Sequence, residues 1–420
     1  MIQKPRGTLD ILPPQSAIWQ EIEGKIKKCA SLYGFEEIRL PTFEMSELYK
    51  RGVGETSDVV QKEMYSFCDN DKRSITLRPE GTAGVVRSVI ENGLLQGALP
   101  LSLYYLISCF RYEKPEAGRS REFYQFGVEM FGAKDAVADA NVISLANAIF
   151  KEIGLDGVRL EINSIGCRHC RPEYHRALHE YFDARKEELC ETCLERLDKN
   201  PLRILDCKSP ICSEIAKDAP KTVDYLCPEC REHFEALKKY LDTAKIEYTV
   251  NPRIVRGLDY YQKTVFEFIT DKIGSQSTIC GGGRYDGMVA ELGGDNVCGL
   301  GFAMGLTRIM LALENSGALP EVDTSPDLYI ASMGERAREK AFELAEALRL
   351  ENKRVLFDQV GRSLKAQMKF ADKTGAKYSL VLGDNELDED KATLKSMRSD
   401  KRVEVTLSNV CEIAENLIKE

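Results

Sequence analysis

The chain has 420 residues, of which 43% are hydrophobic, and a formal net charge of -9. This length predicts two or three domains with substantial cores, and the negative charge argues against broad, nonspecific nucleic-acid binding while leaving room for a local basic patch. No apolar run reaches the roughly 20 residues of a membrane span, and residues 1–6 carry no hydrophobic signal core. We therefore expect a cytoplasmic protein without membrane contact, whose cysteines are reduced thiols.

The N-terminal part predicts a helix, short strands and a turn. Apolar side chains recur at helical spacing over 17–32, which predicts an amphipathic helix, and a strand over 34–40 stops at a proline. Residues 63–78 predict a hairpin, and Glu80 then precedes a helix that begins at Ala83. Because Glu80 follows a strand, its side chain is predicted to face a cleft, although a lone acidic residue in a turn is usually solvated.

Residues 103–110 and 122–131 predict two paired strands joined by the loop 114–121. On the second strand, apolar side chains fill one face and the other carries Gln125, Gly127 and Glu129. Burying this polar face is costly unless a ligand or partner satisfies it, and the loop adds one lysine and two arginines. The combination favours an anionic ligand above a small polar one. The alternative is a surface hairpin with a solvated face.

After a predicted helix over 136–153 and a strand over 158–163, residues 167–230 contain eight cysteines. Six form Cys-x2-Cys pairs at 167/170, 190/193 and 227/230, with Cys207 and Cys212 between the last two pairs. Nineteen residues separate the first two pairs, close to the spacing of a four-thiolate zinc site, which indicates a shared structural Zn2+ ion. The alternative is a reduced helical insertion in which the thiols act as small hydrophobes. Neither interpretation gives these cysteines a catalytic role, and we assign no metal ligand to the functional site.

The segment 248–310 combines strands with glycine-rich stretches. Three consecutive glycines in 280–287 would let the backbone approach a ligand closely. The stretch 297–305 is again glycine-rich, and Arg308 follows in the first turn of a helix. This pattern misses the dinucleotide fingerprint by one place, and no phosphate-loop sequence occurs. A nucleotide would have to be held in another way.

From Ser325 strands and helices alternate regularly, which predicts a separate α/β domain. We place the first domain at 1–322, with a cysteine-rich helical insertion at 167–235, and the second at 325–420. The residues after Pro320 form the linker.

Together these segments resemble the histidyl-tRNA synthetase family of class II aminoacyl-tRNA synthetases. Residues 34–41 look like the class II dimerisation motif, 110–129 like the second motif with its mobile loop, and 299–308 like the third. The stretches 256–261 and 281–287 match the two histidine-specific motifs nearly letter for letter.

The resemblance covers the whole chain and implies an α+β fold. That fold has an antiparallel catalytic sheet flanked by helices, a helical cysteine-rich insertion and a C-terminal α/β anticodon-binding domain. It also implies a homodimer that activates L-histidine with ATP and Mg2+ and then esterifies tRNA(His).

The resemblance further implies roles for particular residues. The catalytic cations would be Arg111 and Arg256. The residues implied for histidine binding are Glu80, Gly81, Thr82, Arg111, Gln125, Glu129, Arg256, Tyr260 and Tyr261. Those implied for ATP binding are Arg111, Glu113, Arg119, Arg121 and Arg308. Glu129 and Tyr261 would meet the two imidazole nitrogens, so that isosteres of histidine leave a buried carboxylate unpaired.

Three positions depart from the usual family form, namely Tyr124, Glu116 and the pair 262–263. Glu116 matters most, because an added carboxylate in this loop would face tRNA phosphates. Two alternatives remain. One is a histidine-binding, synthetase-like regulatory subunit of ATP phosphoribosyltransferase, although such proteins tend to lose the catalytic arginines and the C-terminal domain. The other is a zinc-dependent nucleic-acid-binding protein, which would leave the polar-floored hairpin without a role.

Overall fold

The computed structural model describes residues 1–54, 57–207, 209–256, 260–274 and 277–417. The chain divides into two compact units, Met1–Pro320 and Glu321–Glu420. No helix within the described ranges is long and apolar enough to cross a membrane.

The first unit contains most of the secondary structure. Its described strands are β1 (Glu36–Glu37), β2 (Phe43–Met45), β3 (Tyr65–Cys68), β4 (Ser74–Leu77), β5 (Leu101–Phe110), β6 (Glu122–Phe131), β7 (Arg159–Ser164), β8 (Thr249–Val250), β9 (Gln262–Ile269), β10 (Thr278–Arg284) and β11 (Gly299–Gly305). Its described α-helices are α1 (Gln15–Leu32), α2 (Ser46–Val53), α3 (Thr82–Glu91), α4 (Ala136–Glu152), α5 (Arg171–Asp183), α6 (Glu191–Lys199), α7 (Pro210–Ile215), α8 (Pro228–Thr243), α9 (Met288–Glu291) and α10 (Leu306–Ser316).

A large mixed sheet organises this unit. Among the described residues it has eight strands in the order β1-β5-β6-β11-β10-β9-β7-β8. The edge strands β1 and β8 pair in parallel with their neighbours, and the inner pairs are antiparallel. Strands β2, β4 and β3 form a separate small sheet.

Apolar cores cover both faces of the large sheet. On one face α1, α4, α8 and α10 pack against apolar side chains such as Phe126 and Val128 of β6. On the other face α2, α3 and α9 pack around Tyr105 of β5 and Tyr285. The predicted apolar face of β6 is therefore confirmed, and the functional site lies on the opposite face. The surface hairpin with a solvated face is the wrong alternative, because Gln125 and Glu129 are buried.

The second unit is a five-stranded sheet with helices. Its elements are β12 (Leu328–Ser332), α11 (Glu335–Leu350), β13 (Val355–Phe357), α12 (Leu364–Lys373), β14 (Tyr378–Leu382), α13 (Asp384–Glu389), β15 (Lys391–Ser396), β16 (Arg402–Thr406) and α14 (Val410–Asn416). The described strands have the order β13-β12-β14-β15-β16. The first three are parallel, and β15 and β16 add antiparallel strands.

One predicted strand is much shorter than expected. The strand predicted over 34–40 is reduced to β1, which pairs with β5 through two residues only. The strand β8, near the start of the segment 248–310, is equally short. Both lie at the sheet edges, where one side of a strand has no neighbour and prolines stop the pairing.

Candidate active site

A cleft of about 970 Å³, counting its open mouth, lies over the strands β6, β11 and β10. The cleft brings together all of the predicted site residues except Gly81 and Arg121, which do not line it. The predicted residues that line it are Glu80, Thr82, Arg111, Glu113, Arg119, Gln125, Glu129, Arg256, Tyr260, Tyr261 and Arg308.

The floor of the cleft is built by alternation on β6 and by glycines on β11. Gln125 pairs with Gly305 and Glu129 with Gly301 in the antiparallel register. A methyl group at Gly301 would collide with the Glu129 carboxylate. The glycine therefore creates the space that this side chain occupies.

Glu129 is the most strongly perturbed acid of the floor. It is 1% exposed, and its Oε2 atom accepts a 2.5 Å hydrogen bond from the Tyr285 hydroxyl. The other oxygen, Oε1, has no hydrogen-bond partner among the described residues. Burial raises the pKa of Glu129 to about 8. The floor thus offers a buried acceptor that a ligand N–H group can satisfy.

Two tyrosines that shape the floor were not predicted to have a role. Tyr285 belongs to the glycine-rich stretch 280–287, but its contact with Glu129 joins two strands separated by β11. Tyr105 lies opposite Gly127 across the β5–β6 pair, and its ring fills the space that side chains at Gly81 and Gly127 would need. The available signal was Gly127, because a glycine inside a predicted strand often marks a place where another group approaches closely. Gly81 accordingly makes room for Tyr105 rather than lining the cleft.

Glu80 is buried, 4% exposed, so the solvated alternative for it is wrong. Its carboxylate accepts hydrogen bonds from the backbone N–H groups of Thr82, at 2.7 Å, and Ala83, at 2.9 Å. These are free amide groups at the start of α3, where negative charge is favoured. Burial nevertheless raises the pKa of Glu80.

The opposite wall of the cleft is cationic. The Arg111 Nε atom donates to the Pro79 carbonyl at 2.9 Å, and its guanidinium lies 5.3 Å from the Phe123 ring centre. Arg308 donates to the carbonyl groups of Gly118, at 2.9 Å, and Thr278, at 2.8 Å. Arg308 thereby fastens the loop 114–121 to β10. Burial lowers the pKa of Arg308, and the neighbouring Arg119 lowers it further.

Within the loop, Arg119 and Arg121 have different surroundings. Arg119 pairs with Glu113 at 3.4 Å inside the cleft. The guanidinium of Arg121 lies 4.1 Å from the Tyr112 ring centre, and its backbone N–H donates to Gly7. Arg121 therefore packs against the base of the loop and the N-terminal segment.

Arg256 lies at the third side of the cleft and pairs with Glu267 of β9. Burial lowers the pKa of Arg256, but the Glu267 carboxylate and the neighbouring Tyr261 and Tyr260 together raise it above its ordinary value. Glu267 also accepts a 2.8 Å hydrogen bond from Thr278. Sequence reasoning missed Glu267, although an acid in the middle of an apolar strand was a signal. Residues 257–259 of the predicted stretch 256–261 lie outside the described residues.

The comparisons with known proteins agree with this geometry. The family model for histidyl-tRNA synthetase matches residues 7–309. The chain belongs to the histidyl-tRNA synthetase family. An anticodon-binding-domain model matches residues 327–417, so the second unit carries the domain expected in this family.

Three similar proteins illustrate the membership. The Histidine--tRNA ligase of Caldicellulosiruptor bescii is 50% identical over 98% of both chains. A crystal structure of apo S. aureus histidyl-tRNA synthetase has a TM-score of 0.85 at 38% identity and covers 100% of both chains. A structure from Bacillus halodurans C, described as an ATP phosphoribosyltransferase regulatory subunit/histidyl-tRNA synthetase, has a TM-score of 0.62 at 23% identity. The match covers 88% of this chain and 96% of the other chain, and at this low identity it shows a shared fold only.

One residue of the family-like stretch 281–287 faces away from the cleft. Arg284 is fully buried, and its Nε atom lies 2.9 Å from the Asp139 carboxylate of α4. It also donates to the carbonyl groups of Ala133 and Asp135. His233 of α8 approaches the same carboxylate at 3.2 Å. Part of this family stretch therefore anchors helices behind the sheet.

The cysteines of the insertion form two four-thiol clusters. The first cluster contains Cys167, Cys170, Cys227 and Cys230, and the second contains Cys190, Cys193, Cys207 and Cys212. The predicted sharing of one ion by the pairs 167/170 and 190/193 is wrong. The first pair instead meets the last pair, because the chain leaves the sheet after β7 and returns through α8. Each cluster has the donor set that Zn2+ prefers.

Proposed function

We propose that the protein is a histidine--tRNA ligase. It joins L-histidine to the α-phosphate of ATP, which enters as its Mg2+ complex, and releases pyrophosphate. It then transfers histidine from the adenylate to the 3' end of tRNA(His). The observation that carries the proposal is one cleft with a buried, unsatisfied carboxylate on its floor and arginines on its walls.

The floor suits the histidine side chain. An imidazole N–H would satisfy the unpaired Oε1 of Glu129 and keep that carboxyl ionised, while the Tyr261 hydroxyl would meet the other nitrogen. Glu80, Thr82 and Gln125 would surround the substrate ammonium, with Tyr260 closing the side. An amino acid lacking either nitrogen would leave a buried polar group unpaired, which is costly.

The walls suit the phosphates. Negative charge grows on the α-phosphate as the histidine carboxylate attacks, so fixed cations there lower the barrier. Arg111 and Arg256 would supply this charge, and each is held in place by another group of the protein. Arg308, Arg119 and Glu113 would hold the rest of the nucleotide, while Arg121 would act through the loop that it braces.

The second unit supports tRNA as the second partner, since its family is an anticodon-binding domain. We also propose a cytoplasmic homodimer. The small sheet exposes Phe43, Met45 and Phe67, at 56%, 47% and 49%. Large apolar side chains exposed together on one small sheet favour a contact with a second copy.

The regulatory-subunit alternative shares the fold, so the fold cannot separate the two. What favours the ligase is that Arg111, Arg256 and Arg308 all line the described cleft and that the anticodon-binding domain is present.

The deciding experiment is ATP–pyrophosphate exchange against each of the twenty amino acids without tRNA. Exchange with histidine alone would support the ligase. Histidine binding without any exchange would move the protein to the regulatory role.

A further inference from the structure

The sulfur atoms of both clusters have the spacing of a tetrahedral metal site. The Sγ atoms of Cys167 and Cys170 lie 3.7 Å apart, and those of Cys167 and Cys227 lie 3.9 Å apart. In the second cluster Cys190 and Cys207 are 3.8 Å apart. Zinc–sulfur bonds of about 2.3 Å in a tetrahedron place the sulfurs roughly 3.8 Å apart.

Backbone groups point at these sulfur atoms. The N–H of His169 donates to Cys167, and that of Cys227 donates to Cys170. The N–H of Cys190 likewise donates to Cys212 in the second cluster. Hydrogen bonds of this kind orient metal ligands. A disulfide would need sulfurs about 2.05 Å apart, and every cysteine in the chain is a free thiol.

The two clusters differ in what surrounds them. The second cluster is part of an apolar core that includes Tyr174, Phe182 and Leu202. The core around the first cluster consists of its own cysteines and Leu226. The first cluster also joins residues 60 positions apart, at the two ends of the insertion. A metal ion there would replace a core that the sequence does not otherwise supply.

The first cluster is directly connected to the predicted histidine pocket. Gly166, immediately before Cys167, accepts a 2.8 Å hydrogen bond from the backbone N–H of Lys263. Arg171, immediately after Cys170, donates to the Tyr261 carbonyl. The side chain of Lys263 reaches Glu229, between the last two cysteines, at 2.8 Å. These contacts hold the segment that carries Tyr261.

A second connection runs through α8. This helix begins right after Cys227, and its His233 contacts Asp139. Asp139 pairs with Arg284, and the next residue, Tyr285, donates to Glu129. Tyr261 and Glu129, the two groups proposed to bind the imidazole, are thus both supported by elements that the first cluster holds in place.

We propose that each cluster binds one Zn2+ ion, and that the ion of the first cluster positions the histidine pocket whereas that of the second stabilises the apolar core of the insertion. The positioning part rests on the proposed function, because its measure is affinity for histidine. The zinc part does not depend on it.

The first test is the zinc content of the purified full-length protein, measured by mass spectrometry. We expect two zinc ions per chain, one in Cys230→Ser and one in Cys212→Ser. Cys68→Ser is the matched control, because it makes the same change at an exposed thiol, and it should retain both ions. An active preparation without zinc would overturn the proposal, as would full zinc content in the cluster variants.

The second test compares KM values for histidine and ATP in the exchange reaction. Cys230→Ser should raise the histidine KM roughly tenfold, a typical coupling between sites, with a smaller effect on the ATP KM. Cys212→Ser should change the histidine KM less, and Cys68→Ser should not change it. Cys227→His keeps four zinc ligands and should therefore retain both the zinc ion and the histidine affinity of the unmodified protein. This variant guards against the possibility that a cluster variant simply fails to fold.

Equal effects of the two clusters on the histidine KM would refute the positioning role. Histidine affinity from the ligand-induced shift in melting temperature gives the same comparison without exchange. An unmodified protein that binds histidine but shows no exchange would therefore refute the proposed function alone.

Discussion

The raised pKa of Glu129 predicts that histidine binding strengthens as pH rises above neutrality. With a pKa of about 8, about one-eleventh of the free protein carries the carboxylate at pH 7 and about three quarters at pH 8.5. The Oε2 atom accepts from Tyr285, so the proton of a neutral carboxyl lies on Oε1, the atom that the imidazole N–H would approach, and it must leave first. The histidine KM should then fall about eightfold between these pH values. The ATP KM should not follow this slope, because the proposed role of the Glu129 carboxyl is in binding the amino acid.

The assay is ATP–pyrophosphate exchange at varied histidine concentration and several pH values between 7 and 8.5. Glu129→Gln is the control, since it keeps an acceptor oxygen of the same shape but has no proton to lose. Its histidine KM should be nearly constant over this range. A flat profile for the unmodified protein would refute the reasoning, as would the same slope in Glu129→Gln.

Three further perturbations test other parts of the site. Arg256→Ala should lower the exchange rate by roughly 10²- to 10³-fold with little effect on ATP binding, because it removes a fixed charge that we propose acts on the reacting phosphate; unchanged exchange would remove Arg256 from the mechanism. Gly301→Ala should raise the histidine KM and cost about 1–3 kcal/mol of stability by overpacking, whereas Gly24→Ala, with no atom within 4 Å, should do neither; equal histidine KM values would show that the floor tolerates the methyl. Arg284→Met should reduce the free energy of unfolding by at most about 3–5 kcal/mol, because it removes the arginine partner of the buried Asp139 and leaves only His233 beside that carboxylate; urea denaturation measures this, and a loss near zero would contradict it.

The polar floor was predictable because a strand has a period of two. Once β6 was assigned, Gln125 and Glu129 had to share a face, and the apolar residues between them had to face the core. The role of Tyr285 was not predictable in this way. It depends on which strand lies between β6 and β10, and that order follows from pairing between distant segments.

The cysteine pairing failed for a related reason. Spacing along the chain indicates which cysteines form one turn, but it does not show which turns meet. The structure joins the pair at 167/170 to the pair at 227/230, because the helical insertion leaves the sheet and returns to it at nearly the same place. The short helix α13 was missed because its residues, Asp384–Glu389, lack apolar periodicity. Its start is fixed locally, where Glu386 accepts from the backbone N–H of Gly383.

The strand glycines around the cleft have a role beyond access for a ligand. Glycine in the middle of a strand weakens it, yet four strand glycines here lie directly beneath side chains of the site. A methyl group at any of them would meet the neighbouring side chain at a distance that real atoms do not tolerate. The pairs are Gly127 with Tyr105, Gly281 with Arg256, Gly299 with Tyr285 and Gly301 with Glu129.

Each of these side chains therefore lies flat against the sheet in a space that only glycine leaves open. The glycines fix the depth of the floor and the position of the charges on it, because the side chains cannot rise without losing these contacts. A glycine at one of these strand positions therefore cannot be replaced without moving its neighbour, whereas a glycine in a flexible loop often can. This arrangement also makes three of the pairs separately testable, since the atoms nearest to a methyl group added at Gly127, Gly281 or Gly299 all belong to one side chain. At Gly301 the methyl group would also meet the Val128 carbonyl.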